Sequence, residues 1–303
     1  MGEVKMKLAG HTMATPEFDI FEALTFFQEL GLDGAEIVVQ SGYKSGIPYE
    51  ADDAFVQSVR DHADSLGLAV AASTPYLNRY NDLDEDVRLA EVAALKRVID
   101  MTAILGGSSI RIYGGAFRDE ETDPDGRKLE QLVKSLRECG DYADSFGINL
   151  SIENHFGTMT TTAHRTMEII RAIDHPRVGV LYDQANLAFF PAEEYEEAIT
   201  LQKDRITYVH VKDLVYRGGT PQKFRSDGVS HISEEIRTVY SRIPGDGVLD
   251  WPAILRGLKA TGYDGWLSLE YERRWGKQDL PIATEGLPVC VSRLRRWMAE
   301  AGV

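Results

Sequence analysis

The chain has 303 residues, and its 48 Asp and Glu against 33 Lys and Arg give a net charge of −15. That sign argues against DNA or RNA as a partner, because affinity for nucleic acid rests on neutralising phosphates with cations. With 43% hydrophobic and 27% charged residues, the composition suits a globular protein with a large core and excludes disorder, collagen and coiled coil.

The N-terminus runs from Met1 to Lys7 into a short strand-like stretch without the apolar segment of a secretory leader. The chain contains no run of about 18 apolar residues, so no membrane span is expected. Only Cys139 and Cys290 are present, which is no disulfide framework, and a reducing cytoplasm is the expected location.

From there, short β-branched apolar runs alternate with longer stretches carrying apolar residues at i, i+3, i+4 and i+7. Candidate strands fall near Val4 to Ala9, Gly34 to Val39, Leu68 to Ala72, Ser108 to Tyr113, Ile148 to Glu153, Val178 to Asp183, Ile206 to Val211 and Gly265 to Glu270. Between them, Leu129, Leu132, Val133 and Leu136 share one helical face. Trp251, Ile254, Leu255 and Leu258 share another, after an N-cap at Asp250 and with Pro252 in the first turn. Glycines at Gly31, Gly67, Gly106, Gly147 and Gly262 stand where a left-handed C-cap would turn the chain toward the next strand.

Eight such units without a linker predict an α/β protein: one (β/α)₈ barrel over residues 1–303. An open doubly wound sheet would want a glycine-rich turn after the first strand. Here that turn reads Leu8-Ala-Gly-His-Thr-Met-Ala-Thr-Pro16, and neither GxGxxG nor GxxxxGK[ST] occurs. One connection breaks the rhythm: residues 214–249 follow the seventh strand, where a βα loop usually has about 2–6 residues. A lid or binding element is expected there.

The chemistry gathers at the ends of the fifth to eighth strands, which read SIENH (151–155), LYDQAN (181–186), YVHVKD (208–213) and SLEYE (268–272). Alternation puts Glu153 with Ser151, His210 with Tyr208, and Glu270 with Ser268 on one face. If that face is inward, Glu153, Asp183, His210 and Glu270 meet at the barrel mouth. Three carboxylates and an imidazole suit Mn²⁺ first, then Mg²⁺, Co²⁺ or Zn²⁺, with positions left for substrate oxygens. A cluster of anions without a cation would repel.

These strand ends, with Gly245-Asp-Gly247 and the LDWPAILRGLKATGYDG run after it, resemble the xylose isomerase-like sugar isomerase/epimerase superfamily over nearly the whole chain, more specifically in its second half. The resemblance implies a barrel with one divalent metal held by Glu153, Asp183, His210 and Glu270. It also implies that Glu153 and Glu270 form the catalytic acid/base pair on a small keto sugar or polyol. A metal bridging a carbonyl and its neighbouring hydroxyl acidifies the C–H between them, and two carboxylates exchange the proton. Asn186 departs from the many epimerases that carry Asp-x-x-His after strand six; an amide donates a hydrogen bond but shuttles no proton. Isomerases and dehydratases of keto sugars and inososes look similar in this respect. Isomerisation or epimerisation is therefore the expected reaction, with elimination by a lyase or dehydratase as the alternative.

His155, Asn186, Lys212, His11 and Arg217 are candidate substrate contacts. His231, Lys223 and Arg225 could close over substrate from the long loop, and Tyr271 and Trp275 could wall the pocket. Arg111, a charge inside a strand, is expected in a buried ion pair with Glu36. His62, His164 and His175 are expected to be structural. A DNA-repair endonuclease of the same fold would need extra histidines near strands three, four and six, where Ser73 to Tyr76, Arg111 to Tyr113 and Asn186 stand instead. A non-catalytic sugar-binding barrel would have lost a ligand, yet all four remain. No sequence pattern decides whether copies associate into a homo-oligomer.

Overall fold

The computed structural model describes residues 5–118, 120–190, 193–226, 228–229, 232–273 and 279–303. Val4, His231 and Trp275 lie outside the described residues. In chain order the elements are β1 (Lys7–His11), α1 (Ile20–Glu29), β2 (Gly34–Val39), α2 (Asp53–Ser65), β3 (Ala69–Pro75), α3 (Glu85–Leu105), β4 (Ser109–Ile112), α4 (Arg127–Asp144), β5 (Asn149–Glu153), α5 (Ala163–Ile173), β6 (Val178–Tyr182), α6 (Gln184–Phe189), α7 (Tyr195–Gln202), β7 (Ile206–Val211), β8 (Asp213–Tyr216), β9 (Val239–Arg242), α8 (Trp251–Ala260), β10 (Trp266–Leu269) and α9 (Ala283–Ala301). Eight of the strands close a parallel barrel in the order β1-β10-β7-β6-β5-β4-β3-β2. The fold is the (β/α)₈ barrel that the alternation predicts.

Local signals account for the helix boundaries. Asp19 and Glu22 form a reciprocal capping box on α1, Asp52 caps α2, and Asp250 accepts from the Ala253 N–H to start α8. Gly106 ends α3 at φ 72°, a left-handed value that would strain a residue with a Cβ; Gly31, Gly67, Gly147 and Gly262 also have positive φ. Leu132 and Leu136 of α4 and Trp251, Ile254, Leu255 and Leu258 of α8 are buried against the outside of the barrel. Inside, a small cluster of Ala9, Ala71, Ala72, Leu181 and Tyr208 fills the lumen. Among the described residues no helix is long and apolar enough to cross a membrane.

The long segment after β7 opens and closes as a hairpin, with Asp213, Leu214, Val215 and Tyr216 paired antiparallel to Arg242, Ser241, Tyr240 and Val239. Asp213 anchors its base. The buried carboxylate accepts from the backbone N–H groups of Leu214 and Leu249 through Oδ1 and of Gly245 and Gly247 through Oδ2. A Cβ on Gly247 would stand 2.0 Å from Asp213 Oδ1, so only glycine lets the backbone approach. The Trp251 indole N–H donates to the Lys212 carbonyl at 3.0 Å, tying the start of α8 to the end of β7. The Lys212-Asp213, Gly245-Asp-Gly247 and Asp250-Trp251 motifs are thus one brace, built around the two residues that follow His210-Val211.

Charge-assisted hydrogen bonds are worth about 1.5–3 kcal/mol each, and several backbone donors would be orphaned together if Asp213 were removed. Asp213→Ala should lower the thermal midpoint by about 5–10 °C, with Asp213→Asn intermediate. A midpoint within about 1 °C of the parent for Asp213→Ala would show that the brace carries no load.

Candidate metal centre

Glu153 is the last residue of β5, Asp183 caps α6 just beyond β6, His210 lies in β7 and Glu270 follows β10. The pleat turns all four inward, and they sit 0–3% exposed. One ligand atom from each of Glu153, Asp183, His210 and Glu270 lies within 4.8 Å of the others. His210 presents Nδ1 to this group, 3.1 Å from Glu270 Oε2, 3.3 Å from Glu153 Oε1 and 3.8 Å from Asp183 Oδ2.

Positive charge already gathers around them. The Lys212 ammonium is 2.6 Å from Glu270 Oε2, 3.0 Å from Asp183 Oδ2 and 3.1 Å from Glu272 Oε1. The Arg111 guanidinium is 2.6 Å from Glu153 Oε2 and stacks 3.7 Å from the Tyr113 ring. Counting Glu36, Glu153, Asp183, Glu270 and Glu272, five carboxylates meet two permanent cations, which leaves three negative charges in a largely dry site.

The titration of these groups reflects that imbalance. Burial alone would raise Glu153, but the Arg111 guanidinium, together with His155 and His210, outweighs it and holds the carboxyl at about 2. Burial would likewise raise Glu270, but His210 and Lys212 keep it well below the usual carboxylate range. Asp183 is the group that yields: burial, with Glu270 and Glu153 beside it, pushes it up to about 7 despite Lys212. Burial would lower His210, but Glu270 and Glu36 reverse this and raise it well above its ordinary value. The crowding of carboxylates therefore favours protons on Asp183 and His210. Its donor set, three carboxylates and one imidazole nitrogen, fits a divalent ion such as Mn²⁺.

The candidate substrate contacts divide. Asn186 Nδ2 donates to Glu153 Oε1 at 3.1 Å, to Asp183 Oδ2 at 3.1 Å and to the Asn154 carbonyl at 2.9 Å, so it ties two of the carboxylates together. His155 is buried and depressed to about 4 by that burial, so it is neutral. Its Nδ1 is 2.7 Å from the Phe156 carbonyl, which only accepts; the proton is therefore on Nδ1 and Nε2 is left as an acceptor. Lys212 and His11 join the cluster. Arg217 does not: the β8–β9 ladder carries it into solvent, where its guanidinium donates to the Arg237 carbonyl.

Two further expectations need correction. Arg111 pairs with Glu153 rather than Glu36, because β4 lies beside β5 with Arg111 opposite Ser151, one inward step below Glu153. Glu36, on β2, meets His210 instead. Tyr271 turns from the mouth into the core, where its hydroxyl donates to the Pro281 carbonyl at 2.8 Å. Lys223 and Arg225 are exposed on either side of Phe224, which stacks 4.7 Å from Phe189. His62 and His175 bind Thr25 and Asp141, and His164 faces Glu197. Glu36 is the member of the centre that inspection of strand ends overlooks. Its signal was a lone charge in the otherwise apolar run Gly34-Ala-Glu-Ile-Val-Val39.

A model of the xylose isomerase-like TIM barrel family matches residues 24–292. The rhizopine catabolism protein MocC of Rhizobium meliloti is 33% identical over 157 residues, 52% of this chain and 45% of that protein. The inosose dehydratase of Geobacillus thermodenitrificans (strain NG80-2) is 31% identical over 157 residues, 52% of this chain and 49% of that enzyme. The matched region thus spans about half the length of these relatives. A crystal structure of D-psicose 3-epimerase in the presence of D-fructose superposes with a TM-score of 0.75 over 98% of this chain and 100% of the other, at 19% identity, a likeness of fold.

A cation must displace the proton that Asp183 holds up to about pH 7, so Mn²⁺ affinity should rise as pH increases through that value. Calorimetric titration with Mn²⁺ at pH 6 and pH 8 checks this. Tighter binding at pH 8 is expected, with the difference reduced in Asp183→Asn, where the proton on His210 is still displaced, and equal affinities in the parent protein would contradict it.

Proposed function

The chain belongs to the xylose isomerase-like TIM barrel family, and from that premise we propose that it is a divalent-metal-dependent enzyme that removes the proton beside the carbonyl of a keto sugar or keto polyol. The observation that carries this reading is the convergence of Glu153, Asp183, His210 and Glu270 within 4.8 Å at the mouth of the barrel. A divalent ion, Mn²⁺ by preference, supplies Lewis acidity there, drawing electron density from a carbonyl and acidifying the neighbouring C–H.

The chain's own groups account for the rest. Glu153 and Glu270 are ionised at neutral pH, so either is able to accept the proton. Lys212 brings a permanent positive charge to the edge of the centre, suited to neutralise charge developing on a substrate oxygen or to protonate a departing one. Neutral His155 offers an acceptor to a substrate hydroxyl. Beyond Phe156, whose ring centroid is 4.2 Å from that of His155, Phe117, Phe189, Phe190 and Phe224 line a cleft of about 870 Å³, with Arg165 and Lys223 among its polar groups.

Paired glutamates serve isomerisation or epimerisation, in which the proton returns to carbon. Two observations favour elimination of a β-hydroxyl as water instead. Asn186 stands where a histidine could relay a proton, and its amide is already committed to Glu153, Asp183 and Asn154. The sequence relatives also include a protein named inosose dehydratase. Dehydration of a keto polyol is therefore our first reading and epimerisation the second.

Incubating the Mn²⁺-loaded protein with ketoses, inososes and 3-keto glycosides in D₂O, followed by mass spectrometry, separates them. Loss of the elements of water is expected once exchangeable deuterons are returned to H₂O, with or without one carbon-bound deuterium from tautomerisation, and product of unchanged composition carrying one deuterium would establish epimerisation instead. Glu153→Gln and Glu270→Gln should each slow turnover by about 10²-fold or more while keeping the fold. Absence of exchange and of elimination with every compound would contradict proton abstraction.

A further inference from the structure

Glu36 takes no part in the chemistry derived above, yet it is fully buried behind the centre. Its Oε1 and Oε2 both lie 3.1 Å from His210 Nε2, on the opposite edge of the ring from Nδ1. The Thr74 hydroxyl donates to Oε1 from the adjacent strand β3. On β1, His11 Nδ1 accepts the Met13 backbone N–H at 3.1 Å, so the ring proton of neutral His11 is on Nε2, which stands 3.5 Å from Glu36 Oε1. Glu36 is thus fixed by three strands, and each neighbour turns a hydrogen toward it.

An ionised carboxylate has only acceptors, so the His210 nitrogen facing it must carry the proton. The nitrogen left to bind a cation is Nδ1, the one surrounded by Glu153, Asp183 and Glu270. Resting on the cation-binding reading above, we propose that Glu36 is the positioning residue of the centre: it holds His210 as the Nε2–H tautomer and aims Nδ1 at the metal. Hydrogen bonding to both oxygens also restricts the rotation of the ring about its side-chain torsions. A second shell of this kind typically accounts for about 10–100-fold in metal affinity.

Two measurements test the assignment. Mn²⁺ binding to parent and Glu36→Gln protein is followed by electron paramagnetic resonance, with the thermal midpoint of each metal-free protein recorded alongside. The parent should bind one Mn²⁺ per chain, and Glu36→Gln should bind about 10–100-fold more weakly, whatever the change in its metal-free stability. Affinity within about twofold of the parent would overturn the role assigned to Glu36 and leave the metal reading standing. A parent that binds no Mn²⁺ would overturn both. Should Glu36→Gln fail to fold, nitrogen NMR of ¹⁵N-histidine-labelled parent loaded with Zn²⁺ decides alone: the prediction is a protonated His210 Nε2 and a metal-shifted Nδ1, and the reverse assignment refutes it.

Discussion

Excess negative charge in a dry barrel mouth is the constraint around which this protein is organised. Five carboxylates share the region with Arg111 and Lys212, and removing that many anions from water is costly unless charge of the opposite sign meets them. Burial would lower His210 but its neighbouring carboxylates raise it, burial and adjoining carboxylates raise Asp183, and Lys212 leans across Asp183, Glu270 and Glu272. A divalent ion is the simplest relief, because it neutralises the groups without asking them to keep protons.

The scaffold that tolerates this charge is built from local devices with separate tasks. Apolar faces such as that of α8 close the barrel from outside, and a cluster of three alanines with Leu181 and Tyr208 fills its lumen below the polar layer. The Asp213 brace fixes the turn that follows Lys212, and the Trp251 indole holds the Lys212 backbone in place. Precision at the centre thus depends on groups that never face it. Asn186 acts from within the centre: its amide, bonded to Glu153 and Asp183, ties two carboxylates together and has no donor left for proton relay.

Much of the fold was legible because its period is. Each barrel strand is built on a short, largely apolar run, most helices end at a glycine or begin at an aspartate, and the four centre residues stand at or next to strand ends, where alternation alone predicts convergence. Partnerships across strands were not legible. Whether Arg111 reaches Glu36 or Glu153 depends on which strand neighbours β4 and at what register, and one sequence contains no record of either. Tyr271 was misplaced for the same reason: only the packing of α9 against the strand end decides that it turns into the core. The hairpin inside the long connection escaped notice because its strands are four residues each and far apart in the chain.

Anomalous diffraction from crystals of the protein soaked in Mn²⁺ tests the central claim most directly. One strong peak is predicted within coordination distance of Glu153, Asp183, His210 Nδ1 and Glu270, with the Lys212 ammonium withdrawn from between Asp183 and Glu270. No peak at that position, with Lys212 still seated there, would contradict the account.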